Sequence, residues 1–305
     1  MSTTSAGLER QWRPDFVVDV DAALRPLRRG SGDPTRTRAA GQHWAAVNTP
    51  GGPTTLVLHA RGPAVDARAW GPGAEWVLDQ VPALLGAADD PSAFVSHHDR
   101  IAAAKHQLPH LRLGATGAVW DVLLAAILEQ KVTGTEACRS WRELAWRFGE
   151  PAPGPTPQGL RLPPTPAAVL AIPEWEWHRA GVDFSRRRAL LAVASVAHRL
   201  ERAVTLAGEA GRTLLRKLPG VGVWTAAEVA QRAWGDPDAV SFGDFHLATV
   251  VGWALIGRPV DDDGMAELLA PYTEQRHRAV TLLLASGARR PRFAPRLSPR
   301  NFRSY

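Results

Sequence analysis

A chain of 305 residues is long enough for about two domains of ~150 residues each, with a core that needs no metal or disulfide staple. Its single cysteine, Cys138, excludes an internal disulfide and any four-cysteine iron-sulfur or zinc site, and fits a reducing compartment. The net charge of +6 is terminal: Arg289, Arg290, Arg292, Arg296, Arg300 and Arg303 stand in a tail without a carboxylate, and removing those six from 36 leaves 30 basic against 30 acidic side chains. A body so balanced must bind any polyanion by local arrangement, because it generates no bulk steering field.

The first twenty residues lack an apolar signal core, and the longest apolar run, 248–257, is far short of the ~18 residues of a membrane span. A cytoplasmic, nucleoid-associated protein without membrane contact is expected. From 16 to 71, Phe16-Val-Val-Asp-Val20, His43-Trp-Ala-Ala-Val-Asn-Thr49 and Thr54-Thr-Leu-Val-Leu-His-Ala60 predict a small antiparallel sheet, separated by glycine- and proline-rich turns. Helical spacing follows at 75–81 and again at 92–98. The fold class is therefore α+β over an N-terminal accessory unit, 1–107.

After Leu108 the period becomes 3.6. Trp120, Leu123, Leu124, Ile127 and Leu128 form one apolar stripe, and Thr133-Gly-Thr-Glu136 has capping-box form, which predicts a second helix to about Phe148 with Gln130 and Lys131 in the connection. A proline-rich loop occupies 151–166. Further helices are predicted at 165–170, 185–199, 207–217, 223–233, 245–256, 263–269 and 274–284, so 108–287 reads as all-helical. The aromatic group at 175–178 reads as a packing plug between helices. The remaining tail, 288–305, is rich in arginine, proline and aromatics and suits either a DNA backbone or an extended strap.

The segment Leu218-Pro-Gly-Val-Gly-Val-Trp-Thr-Ala226 joins two helices by a turn in which Pro219 stops the first, while Gly220 and Gly222 leave the amides at the next helix start open to a phosphate. Val221 and Thr225 belong to the same backbone-reading grip, which carries no sequence information. This extended pattern resembles the hairpin of the helix-hairpin-helix superfamily of DNA glycosylases, especially the 3-methyladenine DNA glycosylase II family. Two further motifs agree in order. Asp244 lies twenty-two residues beyond Gly222, where the family carries its catalytic aspartate, and Trp120-Asp-Val-Leu-Leu-Ala-Ala-Ile-Leu-Glu-Gln-Lys-Val-Thr133 is similar to the family's aromatic-led helix.

The resemblance implies an enzyme that flips and hydrolytically excises damaged purines, alkylated ones above all, from double-stranded DNA, leaving an abasic site. It implies no metal or cofactor, and a monomer. Bifunctional relatives place a Schiff-base lysine two residues after the second hairpin glycine; here that residue is Trp224, so a monofunctional enzyme using water is expected. Asp244 would oppose the charge of an oxocarbenium-like sugar, and also has the sequence context of a helix N-cap. Trp224 reads equally as an aromatic floor for the extruded base or as core packing, with Trp120 and Phe245 as weaker floor candidates. Lys131, with Gln130, stands where relatives carry a wedge; it reads either as a gap-filling or phosphate-pairing residue or as a solvated loop tip. Glu228, one helical turn from Trp224, reads either as a pocket-edge carboxylate favouring cationic bases or as an exposed helix charge. Alternatives for the whole chain are a catalytically silent binder of bent or damaged DNA and a glycosylase for deaminated bases.

Overall fold

The computed structural model describes residues 7–290, and most of the arginine-rich tail lies outside the described residues. Among them the chain forms β1 (Leu8–Trp12), α1 (Val20–Leu24), β2 (Arg36–Ala39), β3 (Gln42–Thr49), β4 (Gly52–Arg61), β5 (Ala64–Trp70), α2 (Ala74–Leu84) and α3 (Asp99–Gln107). It continues with α4 (Trp120–Leu128), α5 (Gly134–Phe148), α6 (Pro166–Leu170), α7 (Glu174–Arg179), α8 (Phe184–Ser195), α9 (Arg202–Leu206) and α10 (Gly208–Arg216). Helices α11 (Val223–Ala233), α12 (Leu247–Ile256), α13 (Asp262–Leu269) and α14 (Arg276–Ala285) complete it.

The five strands make one antiparallel sheet in the order β1-β5-β4-β3-β2. Alternation turns Leu56, Leu58, Val65, Ala67 and Ala69 to one face, where they pack on Val77, Leu78 and Val81 of α2 and Val20 and Leu24 of α1. The opposite face meets the proline-rich loop: Ala46 packs with Ala152, Leu160 and Leu162, and the Thr55 hydroxyl donates to the Pro153 carbonyl at 2.7 Å. Helix α4 is buried all round and forms the axis of the helical part, with α8 and α11 against it. A second helical core joins Phe94, Ile101 and Ala104 to Val251 of α12, Met265 and Leu269 of α13, and Leu283 of α14.

Two predicted elements are absent. Phe16–Val20 is no strand, because Asp19 accepts from the Ala22 amide at 2.9 Å and starts α1 at Val20; the capping carboxylate outweighs the β-branched run. The stretch 92–98 is irregular: Asp90 accepts from the Ser92 amide at 2.9 Å, and the His97 amide donates to the Tyr272 hydroxyl at 3.0 Å. The helix comes later, as α3. Trp175–His178 lies within a short helix, α7, whose Trp177 is 1% exposed whereas Trp175 is 66% exposed.

Sheet and helices are clasped at Asp121 in the first turn of α4. Its carboxylate accepts from the Asn48 amide at 2.8 Å and from Asn48 Nδ2 at 2.9 Å, and burial pushes its pKa from 3.8 up to about 6. A folded pKa above the unfolded one means that this group's contribution is fully present below 3.8 and is lost as pH rises through about 6. Thermal melts from pH 4 to 7 should show the wild type losing more stability than Asp121→Asn over that window, by at most about 3 kcal/mol. Parallel profiles would refute the assignment.

Candidate active site

The hairpin between α10 and α11 is shaped by two glycines with different jobs. Gly220 has φ +81°, and a Cβ there would stand 2.5 Å from the Cβ of Ala189 on α8, so both conformation and packing require glycine. Gly222 is the N-cap of α11 with extended backbone, and a Cβ there would meet nothing within 4 Å. No side chain caps α11, so the N–H groups of its first turn have no side-chain acceptor. Val221 is buried and anchors the turn in the core.

Gln130 fixes this turn from the end of α4: its Nε2 donates to the Gly220 carbonyl at 2.9 Å and to the Thr225 hydroxyl at 2.8 Å. Thr225 is buried, so its hydroxyl serves this clamp and faces Gln130. Lys131 follows at the exposed tip with φ +56°, a left-handed conformation unfavourable for a lysine. The capping box at Thr133 and Glu136 then starts α5, with Thr133 N–H donating to Glu136 at 2.8 Å.

Asp244 precedes α12. Its Oδ1 accepts from the amides of His246 at 2.8 Å and Leu247 at 2.9 Å, while Oδ2 lies 3.4 Å from Trp224 Nε1. The carboxylate is thus held by backbone on one oxygen and turned toward the hairpin helix with the other. The loop carrying it is fastened to α11 by Gln231, whose Nε2 donates at 2.8 Å to both the Ala239 carbonyl and the Ser241 hydroxyl. The Ser241 hydroxyl donates in turn to Glu228.

Trp224, Glu228 and Asp244 are therefore brought together, with the Gln130–Lys131 corner tied to the same hairpin. Trp120 is not with them: it is 5% exposed in the helical core, and its indole N–H donates to the Pro164 carbonyl at 2.9 Å. Phe245 is adjacent to Asp244 but 78% exposed, edge-on to His246. Glu228 is neither an open pocket edge nor a solvated charge, because it pairs with Arg232 at 2.8 Å as well as with Ser241. A neutralised carboxylate gives less preference for a cationic base than a free one.

Four residues of this neighbourhood escaped the sequence reading: Arg29, Glu129, Arg232 and Ser241. Arg29 is buried and pairs with Glu129 at 3.1 Å, and burial lowers its pKa from the ordinary value despite Glu129 and Glu228 nearby. The Arg232 Nε donates to the Pro26 carbonyl at 3.1 Å, so the N-terminal unit reaches the back of α11. Arg232 stands four residues after Glu228, a helical spacing that could have exposed it, whereas Arg29 has no local signal. Of the three lysines, Lys105 donates to the Phe94 carbonyl at 2.7 Å, and Lys131 and Lys217 are exposed. Among the described residues no group of three or more His, Cys, Asp or Glu side chains is arranged to hold a metal.

The same architecture occurs in solved structures. The 3-methyladenine DNA glycosylase of Archaeoglobus fulgidus superposes with a TM-score of 0.74 over 90% of this chain and 97% of its own, at 16% identity. The chain shares the fold of that glycosylase. MBOgg1 bound to a low-affinity DNA ligand gives a TM-score of 0.69 at 14% identity, covering 92% and 95% of the two chains. The Clostridium acetobutylicum 8-oxoguanine glycosylase/lyase gives 0.64 at 12% identity, covering 93% and 99%. No family model matches the sequence, and no curated protein matches it. No helix among the described residues is long and apolar enough to cross a membrane.

Proposed function

We propose that the chain is a monofunctional DNA N-glycosylase that extrudes damaged purines, most readily alkylated ones, from duplex DNA and leaves an abasic site. The observation that carries this reading is the Asp244 carboxylate, held by two amides on one oxygen and presented beside Trp224 of the hairpin helix with the other. Residues 108–287 act as the DNA-processing unit and 1–107 as its accessory.

A backbone phosphate docks at the open amides beside Gly222, where unpaired N–H groups and the helix dipole favour an anion. The damaged nucleotide leaves the stack and its base lies on the Trp224 indole, whose π-face attracts an alkylated, positively charged purine. As the N-glycosidic bond breaks, the bonding pair departs with the base and positive charge spreads over the sugar ring. Asp244 stabilises that charge where it develops, and water adds to the anomeric carbon on the carboxylate's side, passing its proton to that carboxylate. Trp224 supplies no amine, so the reaction ends at free base and an intact strand.

Lys131 fills the space left by the base. Its φ of +56° supports this role, since strained backbone at an exposed tip persists where surrounding structure holds it for use. Lys131→Gly relieves a left-handed cost of ~1 kcal/mol that glycine's freedom in the unfolded chain partly offsets, so melting changes little while base release slows. An unaltered release rate in the folded variant would remove Lys131 from the mechanism.

The direct test incubates the protein with duplexes carrying N7-methylguanine, N3-methyladenine, hypoxanthine or 8-oxoguanine and measures free base by chromatography. Release of the two methylated purines ahead of the others is expected. Absence of release from all four would overturn the enzymatic reading, and preference for hypoxanthine or 8-oxoguanine would overturn the alkylpurine assignment.

A further inference from the structure

A cavity of about 250 Å³ opens between α1 and the β2–β3 edge of the sheet, in a part of the molecule that the reading of the hairpin does not use. That volume falls just below the ~300–1,000 Å³ range of small-molecule sites. Its floor is apolar, built from Leu24, Leu56 and Leu58. Its polar wall is almost all hydrogen-bond donors.

Arg25, Arg28, Arg36 and Arg38 line it. The one carboxylate of the lining, Asp21, is already taken by Arg38 at 3.2 Å and by His43 at 3.4 Å. Among the described residues Arg25, Arg28 and Arg36 have no ion pair within 4.0 Å. Burial also lowers the Arg36 pKa from its ordinary value, with Asp33 and Asp121 only partly compensating. Three guanidiniums lack a carboxylate partner, and a ligand bringing several anionic oxygens would satisfy them together.

We infer that this cavity binds a small phosphate monoester with an apolar or aromatic body, its phosphate held by Arg25, Arg28 and Arg36 and its body on the leucine floor. The phosphate is preferred to a carboxylate because three unpaired cations favour a dianion and its fork-like oxygens suit several guanidiniums at once. No bond is made or broken; the site is for binding.

The probe is phenyl phosphate, titrated calorimetrically into the full chain. Saturable one-to-one binding with Kd below about 1 mM is expected, and inorganic phosphate, which cannot use the leucine floor, should bind at least ten times more weakly. Arg28→Ala removes an exposed side chain and leaves the fold intact, and Arg36→Met removes the deep cation; each should weaken phenyl phosphate at least tenfold. Gly222→Ala, which alters the hairpin, should leave this binding unchanged. A 5′-phosphorylated trinucleotide that also binds through Arg28 would identify a strand end as the source of the ester, whereas binding of phenyl phosphate alone would identify a free metabolite-sized ester. Absence of saturable binding, equal affinity for inorganic phosphate, or loss in Gly222→Ala with retention in Arg28→Ala would overturn the proposal. Because these titrations use no damaged DNA, their failure leaves the glycosylase reading untouched.

Discussion

Asp244→Asn should reduce the single-turnover rate of base release by ~10² or more while duplex binding and melting temperature stay close to wild type. The separation follows from the two jobs of this side chain. As a cap, its Oδ1 accepts from the His246 and Leu247 amides, and asparagine caps helices about as well as aspartate, so α12 keeps its start. As an anion, its Oδ2 stands beside Trp224, and an amide of the same shape brings no charge to offset the developing sugar cation. A rate within twofold of wild type in the folded variant would place the essential charge elsewhere.

The hairpin glycines should respond in opposite ways. Gly220→Ala combines a left-handed φ of +81° with a methyl group 2.5 Å from the Ala189 Cβ, and should cost ~2–4 kcal/mol of stability from backbone strain and overpacking together. Gly222→Ala sits in extended backbone with nothing within 4 Å, so its stability should change by less than ~1 kcal/mol. Its methyl group nevertheless stands between an arriving phosphate and the first amides of α11. Duplex affinity should fall at least tenfold, for damaged and undamaged DNA alike, because the grip reads backbone. If Gly222→Ala bound duplex as the wild type does, the hairpin would be a structural corner only.

How much of this was legible depended on whether the information was local. The Thr133 capping box, the extent of α11 from Val223 to Ala233 and the proximity of Asp244 to Trp224 all follow from short-range spacing or from the resemblance built on it. The errors came where a local signal competed with another. Phe16–Val20 has strand composition but contains the capping Asp19, and 92–98 has helical spacing but begins just after the turn set by Asp90. Trp120 opens an aromatic-led helix, yet no local pattern could say that the Pro164 carbonyl would meet its indole. The Arg29–Glu129 pair joins residues a hundred positions apart, and only the folded chain brings that cation to the back of the hairpin helix.

The central claim, hydrolytic base release directed by Asp244 without an amine nucleophile, is tested most directly on an end-labelled duplex carrying one N7-methylguanine. After incubation with the wild-type protein, half of the sample is treated with borohydride and half is analysed for free base and strand breaks before and after alkali. Released base, an intact strand until alkali is added, and no trapped protein–DNA species are expected. A borohydride-trapped complex with strand cleavage before alkali would contradict it, and Lys131 and Lys217 would then be the amines to replace first.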